Sequence, residues 1–360
     1  MPRENNLDLL RLLAAISVLL SHAIVIADGN LSADPVSVLT GGQTVLGVVG
    51  VFVFFTISGY LVTESFVRTA APAQYLVKRA LRIAPGLIVC VLLTAFVIGP
   101  LVTTVPLSIY LRDPQVYAFV ANNLVLHVGY NHLPGVTYVG NAVGDIVNGS
   151  FWTLPAEVLM YLMVLALGML RLLTLRVAIA LVLAGLLGII FDTTDHGVLG
   201  NFAWLLGYFA MGMCLYLLRP FRPLRSAVAF ICALGLILSV PMEHFILIFP
   251  ICGSYLVIYI AYCRWLPIIR AARFGDLSYG MYIYGWPIEG AVAHFNGNAP
   301  WWDILILSFV ICLPVAVLSW HVIEKPAIRL KPKPQRSPMS ELELRAPAPP
   351  LVVESEWSKN

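Results

Sequence analysis

Three ionisable side chains interrupt the apolar stretch NNLDLLRLLAAISVLLSH near the start of the chain: Asp8, Arg11 and His22. In a helix, the eleven-residue interval between Arg11 and His22 is close to three whole turns, which places both on one face about 16 Å apart. Histidine exchanges protons near neutral pH, and arginine binds phosphate through paired hydrogen bonds. One stripe of this helix therefore touches a polar pathway at two depths.

The first of these charges, Asp8, lies three residues before Arg11, where the two side chains can pair on a helix. We interpret Asp8 as a partner that steadies Arg11. Other interpretations stay open from the residues alone. The Asp8–Arg11 pair can simply extend to water at the membrane surface, and His22 can be a hydrogen-bonded core histidine.

A further buried carboxylate is expected in the stretch GSFWTLPAEVLMYL. If this stretch enters the membrane near residue 151, Glu157 lies about 9 Å inside, and His22 lies about 8 Å from the end of its own helix. A carboxylate beside an imidazole fixes its tautomer and raises its basicity, which suits a general base. We therefore predict that Glu157 orients His22; the alternative is a protonated glutamic acid bonded to backbone.

Two more segments carry groups that suit a ligand. YLVKRALRIAP presents Arg79 and Arg82 on one helix face, where paired guanidinium groups suit phosphate, although ordinary interfacial charge is the alternative. In VGVFVFFTISGYL, Ser58 can bind a ligand and Gly59 permits close approach, although helix packing also uses small residues. A cofactor with a charged head and a long reactive arm fits this arrangement. Acyl-coenzyme A (acyl-CoA) has that shape.

Membrane-spanning helices must position these groups, because 59% of the 360 residues are hydrophobic and only 11% are charged, with a mean hydropathy of +0.86. Soluble proteins carry roughly a quarter charged residues. The predicted fold is all-α and polytopic, with about ten helices that each need about 20 apolar residues to cross a bilayer. The predicted spans are 7–27, 45–66, 84–104, 151–170, 175–192, 199–218, 225–240, 244–262, 276–294 and 301–322.

The basic residues predict the orientation of these helices. Alternate connections carry most of them, including Arg68, Lys78, Arg171 and Arg219. The loops on the opposite side contain a single basic residue, Arg112. Because basic residues concentrate in cytoplasmic loops, both termini are predicted to be cytoplasmic. The six cysteines lie in or beside the spans without a CxxC pair, so neither a disulfide framework nor a metal site is expected.

The membrane domain is expected to cover 1–328, followed by a disordered, Pro-rich cytoplasmic tail at 329–360. The longest predicted outer segment, 105–150, is rich in Asn, Gly, His and Tyr. Loops of this length are usually functional or disordered, and the aromatic and amide content of this one argues against disorder.

Taken in order, the motifs resemble the acyltransferase-3 family of integral membrane acyltransferases across 5–328. The matching residues are Leu7-Asp8, Leu10-Arg11, His22, FFTISGYL at 54–61, RALRIAP at 79–85, FWTL at 151–154 with Glu157, Ser278-Tyr279, Trp286-Pro287 and Glu324-Lys325-Pro326. The resemblance implies ten spans, cytoplasmic acyl-CoA as donor and a hydroxyl of an extracytoplasmic carbohydrate as acceptor. Many relatives have a histidine where this chain has Gly285. A second transfer step, which some relatives perform with a fused domain, is expected to need a partner protein.

The resemblance implies roles for the residues identified above. The donor is expected to be held by Arg11, Arg79, Arg82 and Ser58. The acceptor hydroxyl is expected to be deprotonated by His22 with the help of Glu157. Transfer can then be direct, or it can pass through an acyl-histidine. The sugar or the oxyanion is predicted to be bound by Asn122, Asn123, Tyr130 and Trp152.

The transferred group is expected to be acetyl, although succinyl or a longer acyl chain stays open. The protein is expected in the bacterial inner membrane, in contact with its lipids. No nucleic-acid partner is expected, and a homo-oligomer stays open. The alternative function is a transporter or flippase for a sugar or a lipid-linked intermediate.

Overall fold

The computed structural model describes residues 5–69, 71–127, 129, 131–137, 144–192, 197–219, 224–263, 275–297 and 299–331, and in these residues every regular element is helical. The helices are α1 (Leu7–Asp28), α2 (Pro35–Thr40), α3 (Leu46–Val67), α4 (Pro72–Leu93), α5 (Gly99–Val102), α6 (Leu107–Tyr110), α7 (Pro114–Leu124), α8 (Thr153–Met169), α9 (Leu175–Ile190), α10 (Gly197–Leu218), α11 (Ser226–Ser239), α12 (Phe245–Tyr262), α13 (Ser278–Asn296), α14 (Trp301–Ser319) and α15 (Lys325–Arg329).

Six helical stretches in the described part of the chain are long and apolar enough to cross a membrane. They are Leu7–Asp28, Leu46–Val67, Pro72–Val102, Gly197–Leu218, Phe245–Tyr262 and Trp301–Arg329. The apolar helices α8, α9 and α11 are shorter. The all-helical, polytopic architecture is thus confirmed, whereas the count of ten spans, the cytoplasmic termini and the domain boundary at 328 stay predictions. Of the predicted tail, 332–360 lies outside the described residues.

One predicted span differs in length from its helix. The span predicted at 84–104 is part of a continuous helix from Pro72 to Val102, in which a π-helical turn at Thr94–Ile98 joins α4 to α5. Proline at the first helical position favours this early start, because its missing N–H has no partner there anyway. Lys78, Arg79 and Arg82 therefore lie on α4 itself, within its first three turns.

Glycine residues let the central helices approach backbone to backbone. α3 packs extensively against both α1 and α10. A Cβ atom added at Gly59 of α3 would lie 1.9 Å from the carbonyl oxygen of Phe209 on α10, and one added at Gly212 would lie 2.1 Å from that of Thr56. Close packing of this kind is a main source of helix association within membranes. Gly59 therefore has the packing role, while its neighbour Ser58 lines a cavity.

The Gly59→Ala substitution should lower the free energy of unfolding by about 2–3 kcal/mol, because α3 and α10 must separate to admit a methyl group. Gly207→Ala, also on α10, is the matched control, since its added Cβ would have no neighbour nearer than 3.5 Å. The measurement is the thermal unfolding midpoint of each purified protein in one detergent. Equal midpoints for the two variants would contradict the close approach at Gly59.

Candidate active site

Arg11 and His22 lie on the uninterrupted helix α1, and each contacts an acidic residue in or just before α13. Nη1 of Arg11 is 2.7 Å from Oδ2 of Asp276, which precedes α13. Nδ1 of His22 is 3.5 Å from Oε2 of Glu289, in the second half of α13. We call these regions of the bundle the arginine end (Arg11, Asp276) and the histidine end (His22, Glu289). The two α1 residues thus share one neighbouring helix at two depths.

A carboxylate at the arginine end is shared by two guanidinium groups. Oδ2 of Asp276 accepts hydrogen bonds of 2.7 Å from Arg11 and from Arg82, and its Oδ1 accepts one of 2.6 Å from Ser278. Arg82 is also 3.9 Å from Oε2 of Glu324, whose side chain is 2% exposed. The network joins α1, α4, α13 and the turn after α14. Paired charges of this kind avoid the large cost of burying a charge alone.

Arg11 contacts a carboxylate that we did not predict from the sequence. We predicted Asp8, one helical turn earlier, as its partner, and Asp276, 265 positions along the chain, lies within hydrogen-bond distance of it. The reason is tertiary: α13 packs along α1, so the segment leading into α13 reaches Arg11. The supporting role of Asp8 stays a prediction.

Arg79 has different surroundings from Arg82, although both project from α4. Its Nη2 donates a hydrogen bond of 3.3 Å to Ser65, and its guanidinium carbon lies 5.5 Å from the ring centroid of Tyr161, within cation–π range. Its buried Nε has no hydrogen-bond partner in the part of the chain that the structure describes. Among the described residues, no carboxylate lies within ion-pair distance of Arg79, so its charge is available to an anion.

A cavity of about 460 Å³ begins among these cations and extends towards the middle of the bundle. Six cationic and three acidic side chains line it: Arg11, Arg68, Lys78, Arg79, Arg82, Lys331, Glu64, Glu157 and Asp276. Beyond them the wall includes Ser58 and Tyr161, and then Phe54, Thr153 and Tyr282. Its volume is within the roughly 300–1,000 Å³ typical of small-molecule sites, and cations dominate its mouth.

Glu157 lies in the wall of this cavity rather than beside His22. Its Oε1 accepts hydrogen bonds from the hydroxyl of Tyr161 and, at 3.4 Å, from that of Ser58. The predicted pairing of Glu157 with His22 is therefore wrong, since the carboxylate in contact with His22 belongs to Glu289. Glu157 and His22 were predicted at the same depth in the membrane, but they lie on helices that are not close neighbours. α13 packs extensively on α1, whereas α8 packs mainly on α3 and α10. A direct role for Glu157 in catalysis stays a prediction.

The histidine end is enclosed by α13. The ring centroids of His22 and Trp286 are 4.7 Å apart in an edge-to-face arrangement, and Nε1 of Trp286 donates a hydrogen bond of 2.8 Å to the carbonyl of Ile146. The cavity wall reaches Tyr282, one helical turn before Trp286. There Tyr282 and Thr153, which both line the cavity, share a hydrogen bond of 2.7 Å.

Two residues of this site, Asp276 and Glu289, were missed by the reasoning from sequence. Both lie in the predicted span 276–294, and each is an ionisable group in a segment treated as membrane-spanning. The rule that identified Arg11, His22 and Glu157 applies equally to them, because charges at such positions are costly and commonly functional.

Of the four residues predicted to bind the acceptor, the structure places two in one cleft. Asn123 and Trp152 line one small cleft with His127, whose volume of about 10 Å³ has room for about one water molecule. Asn122 is hydrogen-bonded to His127 at 3.1 Å. Tyr130 lies outside the described residues. Sugar binding by these residues stays a prediction.

The glycine at position 285 faces α1. A Cβ atom added there would lie 2.7 Å from Cδ1 of Leu19, which is completely buried. A histidine at this position, as expected in many relatives, would require Leu19 to move. Gly285 and the bulky Leu19 therefore complement each other in this chain.

The fold and the site define a polytopic membrane protein with a cation-rich cavity and a buried histidine–carboxylate pair. Residues 4–321 match the family model described as an acyltransferase domain, and the chain belongs to this acyltransferase-3 family. It is 27% identical to an O-acetyl transferase of Shigella phage Sf6, over 90% of this chain and 96% of the relative. It is 30% identical to nodulation protein 10 of Rhizobium leguminosarum bv. viciae, over 91% and 94% respectively. No solved structure matches it.

Proposed function

We propose that this protein transfers an acyl group, most simply acetyl, from cytoplasmic acyl-CoA to a hydroxyl of an extracytoplasmic carbohydrate. The observation that carries the proposal is the cavity, which begins at a cluster of cations on the arginine end and extends towards the layer of His22. Membership of an acyltransferase family supports the reaction type. The name of the phage relative, an O-acetyl transferase, supports acetyl and a hydroxyl acceptor.

In this proposal the phosphates of CoA bind at the arginine end. Arg79 and Lys78 are the principal contacts, because the charges of Arg11 and Arg82 are already shared with Asp276. Guanidinium groups bind phosphate through directed hydrogen bonds. Arg11 and Arg82 hold the shape of this end and add to its positive potential.

The pantetheine arm would extend along the cavity wall past Ser58, Glu157 and Tyr161. These side chains already exchange hydrogen bonds with one another, and they present polar atoms to a chain that carries two amide groups. Beyond them, the arm would pass Thr153 and Tyr282, which lie on the cavity wall one helical turn before Trp286, the neighbour of His22. Glu157 thus acts on the donor in this proposal, which differs from the role that we first predicted.

The chemical step is an acyl transfer between sulfur and oxygen. His22 takes the proton of the acceptor hydroxyl while its oxygen attacks the thioester carbonyl carbon. The carbon–sulfur bond then breaks, and the CoA thiolate leaves with the proton that His22 had received. General-base assistance of this kind contributes about 10²–10⁴-fold in rate. An acyl-histidine intermediate would reach the same products in two transfers.

The proposal places the protein in the bacterial inner membrane, with the arginine end towards the cytoplasm and the histidine end outside. The acceptor is an exopolysaccharide, a lipopolysaccharide or a lipid-linked sugar, and Asn122, Asn123, Tyr130 and Trp152 lie in or beside the segment that would meet it. The proposed chemistry assigns every proton transfer to a side chain of this protein.

The proposal is tested by deleting the gene and comparing the masses of the surface polysaccharides and glycolipids with those of the parent strain. We expect the loss of one acyl group from one glycan class, and its return when the gene is restored. Membranes of the restored strain should transfer label from radioactive acetyl-CoA to that glycan. CoA-independent flux of an unmodified sugar, without labelling, would instead favour the transporter.

A further inference from the structure

The buried carboxylate of Glu289 has no role in the function proposed above. The side chain is 0% exposed, and its Oε2 lies 3.5 Å from Nδ1 of His22. Within the described residues, neither carboxyl oxygen of Glu289 has a hydrogen-bond partner, and Nδ1 of His22 has none either. Buried polar atoms without partners are costly. The two groups therefore gain most by bonding to each other.

Trp286 and Glu289 hold the imidazole from one helix. They lie three residues apart on α13, so both project towards α1. Trp286 packs edge-to-face with the His22 ring and is itself fixed by its hydrogen bond to Ile146. The aromatic contact restricts the ring orientation, while the carboxylate of Glu289 is placed to select which ring nitrogen carries hydrogen.

The other carboxylates of this region have partners of their own. Asp34 accepts hydrogen bonds from the hydroxyl of Ser21, the residue before His22, and from three backbone amides. Glu157 accepts from Ser58 and Tyr161 in the cavity wall. Glu289 is therefore the carboxylate that the geometry assigns to the histidine.

We propose that Glu289 is a positioning residue for His22. Its carboxylate accepts the hydrogen of Nδ1, which leaves the lone pair of Nε2 free to take the proton of the acceptor hydroxyl. When Nε2 takes that proton, the adjacent negative charge stabilises the imidazolium until the proton passes to the CoA thiolate. A shift of well under 1 Å converts the present contact into a charge-assisted hydrogen bond of about 2.8 Å. This inference rests on the proposed function.

The test compares Glu289→Gln and Glu289→Asp in full-length protein reconstituted in lipid vesicles, with labelled acetyl-CoA and the glycan fraction of the deletion strain. We expect Glu289→Gln to lower kcat about 10–100-fold, with KM for acetyl-CoA within about twofold, because only the proton-transfer step loses support. Glu289→Asp keeps the charge and should retain more activity. Glu243→Gln, an exposed loop position, is the matched control and should leave kcat unchanged.

Wild-type kcat in Glu289→Gln would overturn the inference. Equal losses in the Gln and Asp variants, accompanied by lower thermal midpoints, would also overturn it, because they indicate a structural role alone. Failure of the proposed function is a distinct result: the wild-type protein would then transfer no label from acetyl-CoA.

Discussion

Replacing His22 with alanine should reduce acyl transfer from acetyl-CoA by about 10²–10⁴-fold, the usual contribution of a general base. The expected loss is in kcat, because His22 does not line the cavity that would bind the donor. Binding of CoA, measured by calorimetry on the purified protein, should stay within about twofold of wild type. If an acyl-histidine forms instead, the loss reaches the upper end of this range.

A matched control is available in the same chain. His321→Ala removes an imidazole that is exposed and bonded to the carbonyl of Val317, and it should leave transfer unchanged. Because the His22 side chain is only 14% exposed, folding must be checked by the thermal midpoint. A His22→Ala protein that folds, binds CoA and transfers acetyl at the wild-type rate would rule out the proposed mechanism.

Replacing Asp276 with alanine should have the largest effect on stability. The substitution removes the carboxylate that Arg11 and Arg82 share and leaves two largely buried guanidinium groups facing each other. Breaking one partner of a buried ion pair costs about 3–5 kcal/mol, and Asp276 is 16% exposed, so we expect about 3 kcal/mol. Thermal unfolding in detergent should show a clearly lower midpoint. Asp303→Ala, at the exposed start of α14, is the control and should shift the midpoint little.

The Arg79→Ala substitution tests CoA binding at the arginine end without removing an ion pair that stabilises the fold. Since no carboxylate pairs with Arg79 among the described residues, its loss should leave the thermal midpoint close to wild type. CoA binding should weaken about tenfold or more, the value of one charge-assisted hydrogen bond. Wild-type stability in Asp276→Ala would contradict the structural role of the ion pairs that Arg11 and Arg82 form. Wild-type CoA affinity in Arg79→Ala would contradict the proposed role of Arg79 in phosphate binding.

Local features of the sequence predicted the all-helical membrane fold and several of the ionisable residues that line the cavity. Apolar segments predicted the helices, and every predicted span overlaps a helix, although the bounds differ most at 84–104. Backbone hydrogen bonds must be satisfied within each segment when no water is present, so composition alone determines this level of structure. The shared face of Arg11 and His22 also follows from sequence, because both lie within one helix and the helical repeat determines their relative direction.

Helix neighbours were decided only by the tertiary structure. Glu157 and His22 were predicted at one depth, but depth along a membrane does not say which helices touch, and α13 rather than α8 supplied the carboxylate. Arg79 and Arg82 share a local motif, yet Asp276 and Glu324 compensate only Arg82. The sequence by itself therefore determined which residues are polar within an apolar chain. The long-range packing of α1, α4 and α13 decided which of those charges meet, because ion pairs depend on distance in space and not on separation along the chain.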